Sequence, residues 1–247
     1  MATNITMALP CYGNQISVPT FQTIMGLQQM FMQKGIGGQV APFSYPDVAE
    51  ARNILLTAWY DQLPQSTHML FIDSDMGFGP EVVSDMLVFG EPIVGALYSR
   101  KTLPTQWAGS GMGDVAERRG DFMKVAGLGM GCFLIRRDAI DLMLEKMPEL
   151  IDTRMQYHCA KDILRGRMLR LFDGMDNPDD NTHGRLSEDL AFCARWRQCG
   201  GDVWAAIGHT IDHIGSYSYK ANYMEYIQQK TAKGELPDPS ELAIAAE

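Results

Sequence analysis

The chain has no run approaching the roughly 20 apolar residues that a bilayer span requires. Its N-terminus, MATNITMALP, carries neither the basic segment nor the long apolar core of a signal peptide. These absences predict a soluble, cytosolic protein without a transmembrane segment. Cysteine is sparse: Cys11, Cys132, Cys159, Cys193 and Cys199 are odd in number, widely spread and without a C-x-x-C pair. That pattern speaks against a disulfide framework and a zinc knuckle, and the five thiols read as buried small hydrophobes. Positive charge is in deficit too, with 21 Lys and Arg against 30 Asp and Glu and a formal charge of −9. Such a balance opposes non-specific binding to a polyanion, which needs clustered cations, but leaves room for a local basic groove. No internal repeat or clear linker divides the 247 residues, so one domain is expected.

What is present is an alternation of strand-length apolar runs with helical patterns. NITMALP precedes a helix from about Val18, with Pro19 suited to its first turn; GQVAPF precedes a second from about Asp47. In the first, Phe21, Ile24, Met25 and Met30 read as core. In the second, Val48, Ala51, Leu55, Ala58 and Trp59 recur at helical spacing and predict one apolar face. HMLFID, a helix begun by Pro80, and PIVGALY complete the rhythm. Such units imply an α/β, Rossmann-like domain with a mostly parallel central sheet flanked by helices and, beyond Tyr98, a mixed C-terminal half. There FMKVAG and GCFLIRR are expected to pair as a hairpin, and residues 148–185 read as a variable insertion. If helical, its segment KDILRGRMLR would bring Lys161, Arg165 and Arg170 to one face, with Arg167 off it. SEDLAFCARWRQ reads as a capped helix stopped at Gly200 and Gly201, followed by the strand DVWAAIG and, at the end, a polar helix and tail.

Two acidic pairs stand out. THMLFIDSDMGFGP drives a buried strand to its end and places Asp73 and Asp75 there. Open α/β sheets bind ligands just beyond the carboxyl ends of their strands. Residues i and i+2 of an extended chain point the same way, so both carboxylates can address one point, where Mg²⁺ or Mn²⁺ would relieve their repulsion. The same triplet also arises by chance, since Asp is frequent in turns after strands. Glu188 and Asp189 open a helix behind Ser187, a good N-cap, and acids there are favoured by the helix dipole without any catalytic role.

MLFIDSDMGFGP resembles the D-x-D strand end of GT-A fold glycosyltransferases, and EARNILLTAWYDQ is similar to the helix found upstream of it in bacterial and phage enzymes related to glycosyl transferase family 2. IVGALYSRK, GLGMGCFLIRRDAI, SEDLAFCARWRQCGGDVW and DHIG follow in the family's order, so the resemblance spans Ile5 to Tyr219 with residues 148–185 outside it. It implies a single catalytic domain over 1–232, with a nucleotide-binding half at 1–100, a donor-sugar and acceptor half at 101–219 and a polar tail at 233–247. It also implies transfer of a sugar from a nucleoside diphosphate to a hydroxyl acceptor, whether glycan, lipid-linked, protein or modified DNA base. On that pattern Asp75 binds Mn²⁺ or Mg²⁺, Asp73 contacts the ribose or the metal's water shell with Ser74 between them, and His213 completes the metal site, with His209 and Asp212 as alternatives. Pro10, Cys11 and Tyr12 line the base pocket, Arg52 and Lys101 offer charge contacts to the nucleotide, and Gly129 and Gly131 wall the donor sugar. In inverting members the Asp of the E-D pair removes the acceptor proton, a role that falls on Asp189 in preference to Glu188. Trp107, Tyr217 and Tyr219 are candidates for stacking on sugar faces or for packing. Two other readings stand beside this one. A nucleotidyltransferase would want a glycine-rich basic loop after the first strand, where PCYGNQISVPT has one glycine and no Lys or Arg. A non-catalytic nucleotide- or sugar-binding module would not need the acidic pairs intact.

Overall fold

The computed structural model describes residues 2–111, 116–155, 158, 160–179 and 184–235. The first half alternates β1 (Asn4–Pro10), α1 (Val18–Lys34), β2 (Gly37–Phe43), α2 (Val48–Gln62), β3 (His68–Ile72), the short β4 (Met76–Gly77), α3 (Glu81–Phe89) and β5 (Ile93–Ala96). Then come β6 (Gly109–Ser110), β7 (Arg118–Arg119), β8 (Phe122–Val125), β9 (Gly127–Leu128), β10 (Cys132–Arg136) and α4 (Arg137–Lys146). Short strands β11 (Ile151–Asp152), β12 (Met168–Leu169), β13 (Met175–Asp176) and β14 (Arg185–Leu186) lead to α5 (Glu188–Gln198), β15 (Val203–Ala206), β16 (Ile211–Ile214), β17 (Ser218–Ala221) and α6 (Tyr223–Ala232).

Local chemistry sets the helix ends. The Ser17 hydroxyl accepts from the Thr20 N–H at 3.2 Å, Pro19 sits in the first turn of α1, and Gly35 stops the helix at a φ of 65°. The Asp47 carboxylate accepts from the Glu50 N–H at 2.8 Å to start α2.

The central sheet runs β2-β1-β3-β10-β5-β15-β8-β7. β1 is parallel to β2 and β3, and β15 to β5, while β10 is antiparallel to both its neighbours and β8 to both of its own. All but β10 and β8 therefore point one way, giving the mostly parallel sheet that the βα rhythm predicts. Ile5, Met7 and Leu9 of β1 pack on one face with Ile24, Leu27 and Phe31 of α1 and Val83 and Met86 of α3. Ala8 and, from β3, Met69 and Phe71 turn to the other, against Leu55 and Trp59 of α2, Ile140 and Met143 of α4, and Phe192 and Trp196 of α5. Strands covered on both faces explain why they read as continuous apolar runs. The chain leaves β1 through α1 to β2 on one side and returns through α2 to β3 on the other, so the order reverses between β1 and β3. A crevice opens at their carboxyl ends for that reason.

Several expectations are overturned. β8 and β10 do not form a hairpin: β5 and β15 lie between them in the sheet. Cys132, Phe133, Leu134 and Ile135 are apolar toward both faces, the pattern of a central strand, and β10 takes the slot between β3 and β5. Phe21 and Met25 lie on the exposed side of α1, not in the core. In α2, Val48 is 43% exposed in the first turn and Ala58 packs with the outer cluster, whereas Ala51, Leu55 and Trp59 are buried as expected. Ile54 on the outer side is buried as well, under Met155, Leu164 and Met168 of the 148–185 segment. That segment is also hydrogen-bonded to α2: the Asn53 amide donates to Asp173 at 2.7 Å and accepts from the Phe172 N–H at 2.9 Å, and the Leu169 N–H donates to the Thr57 hydroxyl at 2.9 Å.

No helix forms in residues 160–170, so the basic face does not assemble. Arg167 turns to Asp61 at 2.6 Å, and Arg170 to Glu50 and Asp152, each at 3.1 Å. Cys11, Cys132, Cys193 and Cys199 are buried free thiols, as the sequence suggests, while Cys159 and residues 236–247 of the expected tail lie outside the described residues. Among the described residues no helix is long and apolar enough to cross a membrane.

Candidate functional site

The crevice at the ends of β1 and β3 is a cavity of about 240 Å³. Pro10, Tyr12, Tyr45, Pro46, Val48 and Ala51 form one flank, and Asp73, Ser74, Asp75, Tyr98 and His213 the other. Pro10 and Tyr12 follow from the end of β1, and Asp73 to Asp75 from the end of β3. Cys11 is buried behind them, its N–H donating to the Phe43 carbonyl at 2.9 Å.

The D-S-D segment is a turn, which corrects the extended geometry expected for it. The Met76 N–H donates to the Asp73 carbonyl at 3.2 Å. Three further backbone bonds hold the turn: Asp73 N–H to the Gly131 carbonyl at 3.1 Å, Ser17 N–H to the Ser74 carbonyl at 2.7 Å, and Ile214 N–H to the Asp75 carbonyl at 2.7 Å. The two side chains consequently part within one cleft, Asp73 toward Arg52 and Asp75 toward Lys101 and His213.

Around Asp75, the carboxylate is ion-paired with the Lys101 ammonium, and its other oxygen is 3.8 Å from Nε2 of His213. His213 Nδ1 lies 2.8 Å from the Ser99 carbonyl, which can only accept. Nδ1 therefore carries the proton, and in the neutral ring Nε2 presents its lone pair on the side of Asp75. A carboxylate oxygen and an imidazole nitrogen binding one cation at roughly 2.0–2.2 Å each can be separated by up to about 4.3 Å, so this pair fits a shared ion. Among the described residues no cluster of three or more His, Cys, Asp or Glu converges for a metal, so an ion here would draw its remaining ligands from water or a bound phosphate. The alternatives lie elsewhere. His209 pairs with Asp85 at 3.1 Å, and Asp212, on the opposite face of β16 from His213, accepts from the Ser218 hydroxyl and lies 3.6 Å from Lys220.

Arg52 is 3% exposed, with Nη2 donating to Asp73 at 2.8 Å and Nη1 to Glu188 at 2.7 Å. Burial opposes its charge, but Asp73 and Glu188 outweigh that and hold the guanidinium more firmly protonated than usual. It thus serves two carboxylates, one at the end of β3 and one at the start of α5, instead of facing the cleft. Glu188 is pushed up from the ordinary carboxylate range by burial, an effect that Arg52 offsets in part and Asp189 reinforces. The Asp189 Oδ1 accepts from the Leu190 N–H at 2.8 Å and from the Ser187 hydroxyl. Ser187 occupies the N-cap position without capping, since its hydroxyl goes to Asp189 and not to a backbone amide.

Gly129 and Gly131 pack against Tyr98. A Cβ on Gly129 would stand 2.4 Å from the Tyr98 hydroxyl, and one on Gly131 would stand 2.9 Å from its ring and from Met76. The Gly131 N–H donates to that hydroxyl at 3.2 Å, and burial raises the phenol well above its usual range. Trp107 packs on Tyr223 and Tyr226. Besides Val48 and Ala51 of α2, the lining residues that the motifs leave out are Tyr45, Pro46 and Tyr98. All three follow strand ends, of β2 and β5, so the carboxyl-end rule applied to every strand would have found them.

No protein-family model matches the sequence, and no characterised protein sequence matches it. Solved structures with a similar arrangement include A197 from STIV, 15% identical with a TM-score of 0.47 over 86% of this chain and 86% of that one. A Drosophila β-1,4-galactosyltransferase 7 mutant, in complex with manganese, UDP-Gal and xylobiose, is 13% identical with a TM-score of 0.44; the match covers 83% of this chain and 65%, less than two thirds, of that one. A 4-diphosphocytidyl-2C-methyl-D-erythritol synthase from Anaerococcus prevotii is 13% identical with a TM-score of 0.35 over 80% of this chain and 99% of that one. At TM-scores below 0.5 these likenesses assign no reaction, metal or substrate to the chain.

Proposed function

We propose that the chain is a divalent-cation-dependent glycosyltransferase that moves a sugar from a nucleoside diphosphate to a hydroxyl acceptor. The observation that carries this reading is the pairing of Asp75 with a His213 whose tautomer is fixed by Ser99, beside an aromatic- and proline-lined flank at the switch point of the sheet. The D-x-D, E-D and D-H-I-G motifs and their order support it from the sequence side.

Asp75 and His213 would hold Mn²⁺ or Mg²⁺, whose chemistry is to neutralise the charge gathering on a departing diphosphate. Tyr12, Tyr45, Pro10 and Pro46 line the flank on which a base would pack. Asp73 has Oδ1 engaged by Arg52, and its Oδ2, without a hydrogen-bond partner among the described residues, would meet a ribose hydroxyl or a bound water. Lys101 adds a positive charge that can follow the phosphates once Asp75 has another partner. Asp189 keeps Oδ2 without a hydrogen-bond partner among the described residues, and as general base it takes the acceptor hydroxyl's proton while that oxygen attacks the anomeric carbon. Leu190 N–H and Ser187 hold the carboxylate in the first turn of α5, where the helix dipole favours its charge.

The test is calorimetric titration of UDP, GDP, CDP and their sugars into wild-type protein and Asp75→Asn, with Mn²⁺ or with EDTA. Binding of one nucleotide that needs the metal and is lost in the variant is the expected result. Binding that is equal with EDTA, or unchanged in a folded Asp75→Asn, would remove the cation from the proposal.

A further inference from the structure

A second cleft lies beside the Asp75 site. It encloses about 480 Å³, within the range of small-ligand sites, and its walls are Leu103 and Thr105 on one side and Tyr217, Ser218, Tyr219 and Lys220 on the other. Tyr217 is 61% exposed at the turn of the β16–β17 hairpin. Tyr219 meets it edge to face, with ring centroids 5.2 Å apart and planes at 80°, an arrangement that leaves ring surface of Tyr217 uncovered. A tyrosine left this open gains nothing for the core, and it offers a rigid aromatic plane at small entropic cost.

The cleft is coupled to the first site by contacts between their walls. Ser99 lines it, accepts the His213 Nδ1–H on its carbonyl, and donates its hydroxyl to the Tyr219 carbonyl at 3.0 Å. Tyr219 is the cross-strand partner of His213. A Cβ on Gly215 would stand 3.2 Å from Lys101 Cδ and 3.5 Å from the Tyr219 ring, so the Lys101 stem and that ring flank one glycine.

We infer that this cleft is a subsite for a neutral saccharide, the part of the acceptor that lies away from the reacting hydroxyl. A pyranose has one face of C–H groups, which packs on the negative face of an aromatic ring, and a rim of hydroxyls that needs donors and acceptors. Tyr217 supplies the plane, while Thr105 and Ser218 supply hydroxyls. The charge is right for a neutral ligand: Lys220 is the cleft's charged wall residue, and Asp212 stands 3.6 Å from it. A nucleic-acid acceptor would need a row of cations, and Arg167 and Arg170 are paired to Asp61, Glu50 and Asp152. A lipid chain would need a continuous apolar channel, and among the described lining residues the aliphatic contribution is Leu103 alone. The word acceptor rests on the transferase reading; the saccharide site itself does not.

The experiment is saturation-transfer NMR with maltotriose, cellotriose, chitobiose and mannobiose, on wild-type protein, Tyr217→Ala and Tyr217→Phe. Tyr217 is exposed, and equal thermal melts will show that the variants fold. Transfer to at least one saccharide, weakened roughly three- to tenfold in Tyr217→Ala and kept in Tyr217→Phe, supports the site. Transfer to none of the four, or transfer indifferent to Tyr217→Ala, overturns it. UDP and GDP titrations with Mn²⁺ on the same samples separate the two claims. Saccharide binding without nucleotide binding would keep the subsite and sink the transferase; nucleotide binding with no saccharide signal would do the reverse.

Discussion

Replacing Arg52 with methionine keeps an unbranched apolar stem, and by deleting the guanidinium removes both charge-assisted hydrogen bonds at once. Asp73 and Glu188 would then face each other without a cation between them. Breaking a buried ion pair from one side costs about 3–5 kcal/mol. The partners here are 26% and 21% exposed, so water recovers part of that, and a loss of about 3 kcal/mol is the working figure. A domain with 5–15 kcal/mol of stability stays folded, and with a urea slope near 3 kcal/mol per molar its midpoint falls by about 1 M. The pH dependence has a definite sign. Glu188 already sits above the 4.5 of a free glutamate because of burial, and losing Arg52 raises it further. An acid raised in the folded state loses stability as pH climbs from its unfolded value through its folded one. The penalty of Arg52→Met should therefore be smallest near pH 4.5 and fully developed at neutrality. Arg52→Lys, with one ammonium in place of a planar fork, should recover only part. Urea melts at pH 4.5 and 7.5 decide the matter: a midpoint within about 0.3 M of wild type at pH 7.5, or a penalty equal at both, would refute the double clamp.

Asp189→Asn should leave metal and nucleotide titrations near wild type while lowering turnover by about 10²–10⁴; loss of nucleotide affinity instead would move Asp189 out of the role of base. His213→Ala should weaken Mn²⁺-dependent nucleotide binding by about tenfold or more while leaving binding in EDTA unchanged, and equal loss in both conditions would mean the ring only packs. In Gly131→Ala the new methyl would stand 2.9 Å from Met76 and Tyr98, so thermal melts should show about 1–3 kcal/mol of destabilisation. A melt equal to wild type would show that Tyr98 can step aside without cost.

The parallel half of the fold was readable because β1, β3 and β5 are continuous apolar runs and the intervening helices carry local stop signals such as Gly35. The expected pairing of β8 with β10 does not form, since an apolar run states that a strand is buried without saying which neighbours bury it. Partner choice is a tertiary decision, and β10 went to the centre of the sheet. That Asp73, Asp75 and His213 come to line one crevice follows from strand-end position and motif order, whereas the divergence of the two carboxylates does not, because the Asp73–Met76 hydrogen bond that turns the chain is conformational. Arg52 illustrates the limit best. As a residue type it suggests phosphate, yet its burial and its two carboxylates, 21 and 136 positions away, appear only once the chain is folded. Arg170 likewise reads as part of a basic face in the sequence, whereas in the fold it pairs with Glu50 and Asp152.

On α2, Arg52 reaches inward to Asp73 and Glu188 while its immediate neighbour Asn53 holds Phe172 and Asp173 of the 148–185 segment. Two adjacent side chains thus join a stretch that looks expendable to the anchor of both acidic pairs. Trimming that stretch would bare Ile54 and Thr57, strip Asn53 of its partners and loosen the turn of helix that aims Arg52. A homologue could change the outward residues of the segment freely, and with them whatever it meets, but not the strip that lies on α2. The molecule would then diversify on its rim while the keystone beneath stays put.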